Sequence, residues 1–125
     1  MKTLHFGIEM EMTGITREKA ANLMAGFFGT GWGSHQGGAY DTWTATDEQG
    51  RTWKAMSDSS IQAQRKVGGR IESASTEYRT EVVSPILSYD DIPKLQEMVR
   101  TLRKAGAMVN TSCGIHIHVG AEKFT

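Results

Sequence analysis

Cysteine, proline and net charge are all scarce in this chain. Its 125 residues include one cysteine and two prolines, and 14 basic residues balance 14 acidic ones. The single cysteine, Cys113, excludes an intramolecular disulfide framework and favours a reducing, cytoplasmic setting. Zero net charge supplies no long-range attraction to nucleic acid or to an anionic membrane. No apolar run is long enough to span a bilayer, so we expect neither kind of partner.

Glycine is the residue in excess. The chain has 14 glycines, and those between Gly26 and Gly38 crowd into one segment that predicts a flexible or tightly turning connection. The length of 125 residues fits one domain over residues 1–125.

Alternation and helical periodicity predict the element order β-α-β-β-β-α-β. The first strand runs from Leu4 to Met12, and a helix follows that is capped at Thr16 and ends at Gly29. A hairpin is predicted next, with Trp43 and Trp53 paired across its strands, 40–46 and 51–56.

The second half of the chain contributes one more helix and two more strands. A strand is predicted over 78–87, which Pro85 either terminates or places at a sheet edge, and an apolar stripe from Ile92 to Leu102 predicts a helix that Gly106 ends. The polar stretch 57–77 has no clear pattern beyond a short strand at its end. This order indicates an α+β domain in which a mostly antiparallel sheet carries its helices on one face and leaves the other open.

Paired carboxylates and paired imidazoles are the most suggestive chemical features. Successive side chains of a strand point to opposite faces, so Glu9 and Glu11 share one face, and His116 and His118 share one face. The opposite faces are apolar. In one sheet, these side chains make a floor for a metal site. The simpler interpretations are that the two glutamates lie on a solvated face and that the two histidines are a structural pair.

Two further polar clusters are weaker signals. Asp58 follows the hairpin, where it is either part of a turn or an anchor for an amine or a metal, with Ser60 as a hydrogen-bond partner. The basic run of Arg65, Lys66 and Arg70 is similar to a mobile phosphate clamp, although surface loops are commonly charged in this way. Cys113 has no neighbouring base and is expected to be a small buried residue.

Four motifs in order resemble the amidoligase family, related to the glutamine synthetase and glutamate-cysteine ligase superfamily. They are Phe-Gly-Ile-Glu-Met-Glu at 6–11, Trp-Lys-Ala-Met-Ser-Asp-Ser-Ser at 53–60, Thr-Glu-Val-Val-Ser-Pro at 80–85 and Cys-Gly-Ile-His-Ile-His-Val at 113–119. The resemblance covers nearly the whole chain and implies a glutamine-synthetase-like antiparallel sheet that binds ATP and Mg²⁺ or Mn²⁺. Members of this kind are commonly encoded in bacteria and their mobile elements.

The resemblance also implies a reaction and roles for particular residues. The γ-phosphoryl group of ATP would move to a carboxylate, and an amine would then displace phosphate to leave an amide; the two substrates would be small molecules or peptides. The implied metal ligands are Glu9, Glu11, Glu81 and His116; the implied catalytic residues are Glu11, Asp58 and His118. Arg65, Lys66 and Arg70 are the candidate nucleotide-binding residues.

Two alternatives stay open beside the ligase. Members of the superfamily continue well past the His-x-His strand, whereas this chain stops at Thr125, which suggests either the N-terminal part of the family's domain or a short derivative acting as a binding module. A zinc hydrolase built on His116, His118 and Glu9 or Glu11 is the other alternative.

Overall fold

The computed structural model describes residues 4–121 and has the α+β fold that the sequence predicts. The elements are, in chain order, β1 (Leu4–Met12), α1 (Arg17–Phe28), β2 (Ser34–Gly37), β3 (Thr42–Thr46), β4 (Thr52–Met56), β5 (Gln64–Val67), β6 (Arg70–Ser73), β7 (Thr80–Val83), β8 (Leu87–Ser88), α2 (Ile92–Lys104) and β9 (Ile115–Ala121).

A seven-stranded antiparallel sheet organises the molecule. Its order runs β2-β3-β4-β7-β1, with β8 and β9 also paired to β1. Because β9 pairs along residues 4–10 of β1, β7 and β8 must share the other side of that strand. The strand β7 ends at Val83, close to Pro85, in agreement with the prediction that this proline terminates it, and pairing with β1 resumes in β8. Between the two strands, the hydroxyl of Ser84 accepts the Ile8 N–H at 2.9 Å.

Both helices pack on one face of the sheet, as predicted. Thr16 caps α1 by accepting the Lys19 N–H at 3.2 Å, and Gly29 ends the helix at φ 76°. The second helix is amphipathic and carries Arg103 and Lys104 in its last turn. The buried core lies between the helices and the sheet and includes Ile8, Met10, Met12, Ala20, Met24, Phe28, Trp53, Val82, Met98 and Leu102.

The structure corrects several local predictions. Trp43 pairs with Ala55 and Trp53 with Ala45, so the two indoles lie diagonally on the sheet and not directly opposite each other. The glycine-rich segment contains the short strand β2, and the stretch without a clear pattern forms the hairpin β5–β6. Cys113 is half-buried, not fully buried.

The end of β1 anchors both the hairpin and the chain that leads to β9. The buried Thr13 hydroxyl accepts the Gln64 N–H at 2.8 Å, at the base of the β5–β6 hairpin. The backbone of Thr13 also pairs with Met108 through two hydrogen bonds of 2.8 Å. Gly14 fits beside this bridge because a side chain there would lie 2.3 Å from the Gly106 carbonyl oxygen.

Within the described residues 4–121, the apolar side of β9 is exposed. Ile115, Ile117 and Val119 point to the same side of the sheet as the core, yet they are 61%, 58% and 65% exposed. The reason is that α1 packs over β3, β4 and β7, on the far side of β1 from β9. Among residues 4–121, no helix has the length and apolar character needed to cross a membrane.

Candidate active site

Glutamates from two neighbouring strands meet on the open face of the sheet. Glu11 of β1 lies opposite Glu81 of β7, and side chains directly opposite each other in an antiparallel ladder share one face. Glu9 is two residues before Glu11, so it lies on the same face. Three carboxylates therefore line the side of the sheet that carries no helix.

The histidines of β9 lie beside Glu9. His116 is the cross-strand partner of Glu9, and His118 is the partner of Gly7. The His116 Nδ1 atom is 3.7 Å from one Glu9 carboxylate oxygen, and the His118 Nε2 atom is 3.4 Å from the other. Gly7, opposite His118, has no side chain, so the backbone of β1 is accessible from this face beside Glu9.

Asp58 completes a group with Glu11 and Glu81. One carboxylate oxygen of each residue lies within 4.8 Å of those of the other two, and no other set of three or more potential metal ligands within residues 4–121 is grouped in this way. Asp58 lies in the loop after β4. The last residue of β4, Met56, pairs with Glu81, so this loop begins beside Glu81. Ser60 holds Asp58 in place, since its N–H and hydroxyl donate to the carboxylate at 2.9 and 2.7 Å.

The electrostatics of this group are repulsive. Burial, together with the negative charges of Glu9, Asp58 and Glu11, raises the pKa of Glu81 to about 7. Burial and the neighbouring Asp58 also raise the pKa of Glu11, although the Gly114 N–H donates to its carboxylate at 2.8 Å. Hydrogen bonds from Ser60 lower the pKa of Asp58, so that carboxyl is the first to ionise.

A divalent cation suits this arrangement. Three carboxylates with close oxygen atoms are the donor set that Mg²⁺ and Mn²⁺ prefer, and a bound cation would offset the repulsion that raises the pKa of Glu81. Glu9 and the two histidines do not form a second group of that closeness within the described residues. The donor chemistry therefore favours an oxygen-bound ion over zinc.

The basic residues of the hairpin are divided between its two faces. Arg65 and Arg70 lie on one face of β5–β6, where Arg65 stacks 5.9 Å from the Tyr78 ring centre and Arg70 pairs with Glu72 at 3.3 Å. Lys66 points to the other face. The three cations that the sequence suggested as a phosphate clamp therefore do not point to one place.

Lys54 is a site residue that the sequence analysis did not single out. It lies opposite Val83, which in turn lies opposite Glu9, so its ammonium group projects on the carboxylate face. The signal was present, because Lys54 alternates with the buried Trp53 and Ala55. A cation here is positioned to offset negative charge on a ligand bound to this face.

One comparison with known proteins found a match. A family model described as "Putative amidoligase enzyme" matches residues 2–125, which is nearly the entire chain. The comparisons with curated proteins and with solved structures found no match.

Proposed function

The chain belongs to the amidoligase family, and from that membership we propose that its open sheet face joins a carboxylate to an amine at the expense of ATP. The observation that carries this proposal is the meeting of Glu11, Asp58 and Glu81, whose oxygen atoms lie within 4.8 Å of one another. ATP is a nucleoside triphosphate with several negative charges. If it binds at a carboxylate-rich face, divalent cations are needed between its phosphates and the carboxylates.

The proposed reaction has two steps. An oxygen of the substrate carboxylate attacks the γ-phosphorus of ATP, the bond to the β-phosphate oxygen breaks, and an acyl phosphate and ADP result. The amine nitrogen then attacks the acyl carbon, phosphate leaves, and the amine loses a proton. Bound Mg²⁺ or Mn²⁺ would neutralise and align the phosphate oxygens in the first step.

Residues of the chain have distinct roles in this proposal. Glu11, Asp58 and Glu81 hold the cation, so of the two roles that the sequence offered for Asp58, anchor for an amine or for a metal, the proposal takes the second. Glu9, between His116 and His118, orients an imidazole that donates a hydrogen bond to the phosphate or acyl oxygen.

Cation binding gives the most direct test. Titration of the 125-residue chain with Mn²⁺, followed by isothermal calorimetry and by the electron paramagnetic resonance of free Mn²⁺, should show binding that Glu11→Gln weakens at least tenfold. Glu77→Gln is the matched control, because Glu77 is exposed and lies in a turn outside the site. Unchanged Mn²⁺ binding in Glu11→Gln would contradict the assignment of the ligands.

Turnover separates the ligase from the alternatives. Mn²⁺- or Mg²⁺-dependent release of ADP and phosphate that requires both a carboxylate and an amine, and is lost in Glu11→Gln, supports the ligase. Cation binding without turnover in any substrate combination would favour a binding module. Tightly held zinc that is lost in His116→Ala would favour the hydrolase.

A further inference from the structure

Two loops without helix or strand meet beside the carboxylates of the candidate site. One loop, residues 57–63, contains Asp58. The other loop, residues 110–114, ends at Gly114. The Gly114 N–H donates to the Glu11 carboxylate at 2.8 Å, and the Gly114 carbonyl oxygen accepts the Glu11 N–H at 2.9 Å. The positions of Asp58 and of the Glu11 carboxylate therefore depend on where these two loops lie.

The side-chain amide of Asn110 joins the two loops. Its nitrogen donates to the Gln62 carbonyl oxygen and to the Gln64 side-chain oxygen, both at 2.9 Å. Its oxygen accepts the Ser112 N–H at 2.9 Å and also accepts a hydrogen bond from the Ser112 hydroxyl. The Ser112 hydroxyl oxygen in turn accepts the Gln62 N–H at 2.8 Å. Asn110 thus uses both of its amide hydrogens and its amide oxygen within this junction.

Each of the two loops is also anchored to the rest of the fold. Ile61, in the first loop, is 1% exposed, and its carbonyl oxygen accepts the Arg79 Nε–H at 2.8 Å. Met108, two residues before the second loop, pairs with the backbone of the buried Thr13 through two hydrogen bonds. The side chain of Asn110 therefore connects two anchored segments of the chain.

Asn110 does not itself contact the three carboxylates. Its side-chain hydrogen bonds within residues 4–121 include none to Glu11, Asp58 or Glu81. Its effect on them is indirect, because the bond to Gln62 holds the loop that contains Asp58. When Asp58 and Glu11 are both ionised they repel each other, and this repulsion favours displacement of a loop that is not held.

We propose that Asn110 is a positioning residue of the cation site, which keeps Asp58 close to Glu11 before the ion binds. This inference rests on the proposed function, since it takes Glu11, Asp58 and Glu81 as the ligands of the ion. A site whose ligands are held together in advance binds more tightly, because less ordering is needed on binding. Glu81 needs no such support, because the pairing of β7 with β1 already places it opposite Glu11.

The affinity of the 125-residue chain for Mn²⁺, measured by the electron paramagnetic resonance of free Mn²⁺, tests this role. Asn110→Ala should weaken binding at least about fivefold at a temperature at which circular dichroism shows the variant to be folded. Ser112→Ala removes the acceptor of the Gln62 N–H; it should also weaken binding and guards against misfolding of the first variant.

Asn22→Ala is the matched control. Asn22 is also half-buried and also holds a loop, because its side-chain oxygen accepts the Gly33 N–H at 2.7 Å. It belongs to α1, on the face of the sheet opposite the carboxylates. Its loss should lower the stability of the fold and leave the affinity for Mn²⁺ unchanged.

Two further measurements separate positioning from simple destabilisation. In the Asp58→Asn background, Asn110→Ala should change the affinity for Mn²⁺ by at most about twofold, whereas in the Glu81→Gln background it should keep its effect. The reason is that Asp58, and not Glu81, lies in the loop that Asn110 holds. In chelator, the amides of residues 60–62 should exchange hydrogen faster in Asn110→Ala than in the wild type.

The outcomes distinguish this inference from the proposed function. Normal Mn²⁺ binding by the wild type with unchanged affinity in Asn110→Ala would overturn the inference and leave the cation site standing. Equal losses of affinity in Asn110→Ala and Asn22→Ala would show that Asn110 acts only through the stability of the fold. A full effect of Asn110→Ala in the Asp58→Asn background, or unchanged exchange in residues 60–62, would likewise exclude the positioning of Asp58. Absence of Mn²⁺ binding by the wild type would overturn the proposed function, and this inference with it.

Discussion

Replacement of Glu81 by glutamine should make the protein more stable at neutral and alkaline pH. The pKa of Glu81 is about 7 in the folded protein, against an ordinary value of 4.5, because it is buried among other carboxylates. Below pH 4.5 the group is protonated in both the folded and unfolded chain and contributes no pH dependence. Between pH 4.5 and 7 the unfolded chain ionises first, so the free energy of unfolding falls as the pH rises.

The size of this change in the free energy of unfolding follows from the difference between the two pKa values of Glu81, 4.5 in the unfolded chain and about 7 in the folded protein. At about 1.4 kcal/mol per pH unit, ionisation of Glu81 in the folded state costs up to about 3 kcal/mol at pH 8. Glutamine keeps the shape of the side chain and carries no charge. The variant should therefore match the wild-type stability near pH 4 and exceed it progressively up to pH 8, by up to about 3 kcal/mol.

Urea unfolding followed by tryptophan fluorescence, in buffers with a chelator from pH 4 to pH 9, measures this difference. Glu77→Gln provides the control for loss of an exposed glutamate and should show no such pH-dependent gain. A stability difference between wild type and Glu81→Gln that is constant over the whole pH range would refute the reasoning. It would mean that Glu81 ionises at its ordinary pKa in the folded protein.

Two further predictions concern packing. Gly14→Ala should destabilise the fold by at least about 3 kcal/mol, since Gly14 has φ +81° and a Cβ would lie 2.3 Å from the Gly106 oxygen. The control Gly50→Ala, at φ +80° but with open space around it, should lower the free energy of unfolding by about 1 kcal/mol in the same denaturation assay. Ile8→Ala should cost about 2 to 4 kcal/mol, whereas Ile117→Ala, at its cross-strand partner, should cost less than about 1 kcal/mol, because the two side chains are 8% and 58% exposed. Equal losses at Ile8 and Ile117 would show that β9 is covered in solution.

The parts of the fold that the sequence predicted correctly are those with strong local signals. The first strand alternates over nine residues, and the first helix has a capping threonine and a terminating glycine. The hairpin β5–β6 was not predicted, because its strands have four residues each and are mostly polar. The turn signal that the sequence offered was Gly68-Gly69 between the two strands. The diagonal placement of Trp43 and Trp53 depends on the register of the pairing, which their positions in the sequence do not determine.

The arrangement of the candidate site was likewise predictable only within single strands. Alternation is enough to place Glu9 with Glu11, and His116 with His118, because those pairs belong to single strands. That Asp58 lies with Glu11 and Glu81, while Glu9 lies with the histidines, depends on which strands are neighbours and on the loop after β4. These are long-range properties of the sheet, and no spacing in the sequence contains them.

The central position of β1 also bears on how the site comes into existence during folding. Glu11 meets Glu81, and Glu9 meets His116, only after segments from distant parts of the chain have paired with the same strand. Contacts of such large sequence separation form slowly, because the loops between them must close first. The pairing of β1 with β7 also brings the carboxylates of Glu11 and Glu81 together, so this step works against electrostatic repulsion. A divalent ion bound by Glu11, Asp58 and Glu81, as proposed, would offset this repulsion, so we expect the sheet to be completed faster when that ion is present.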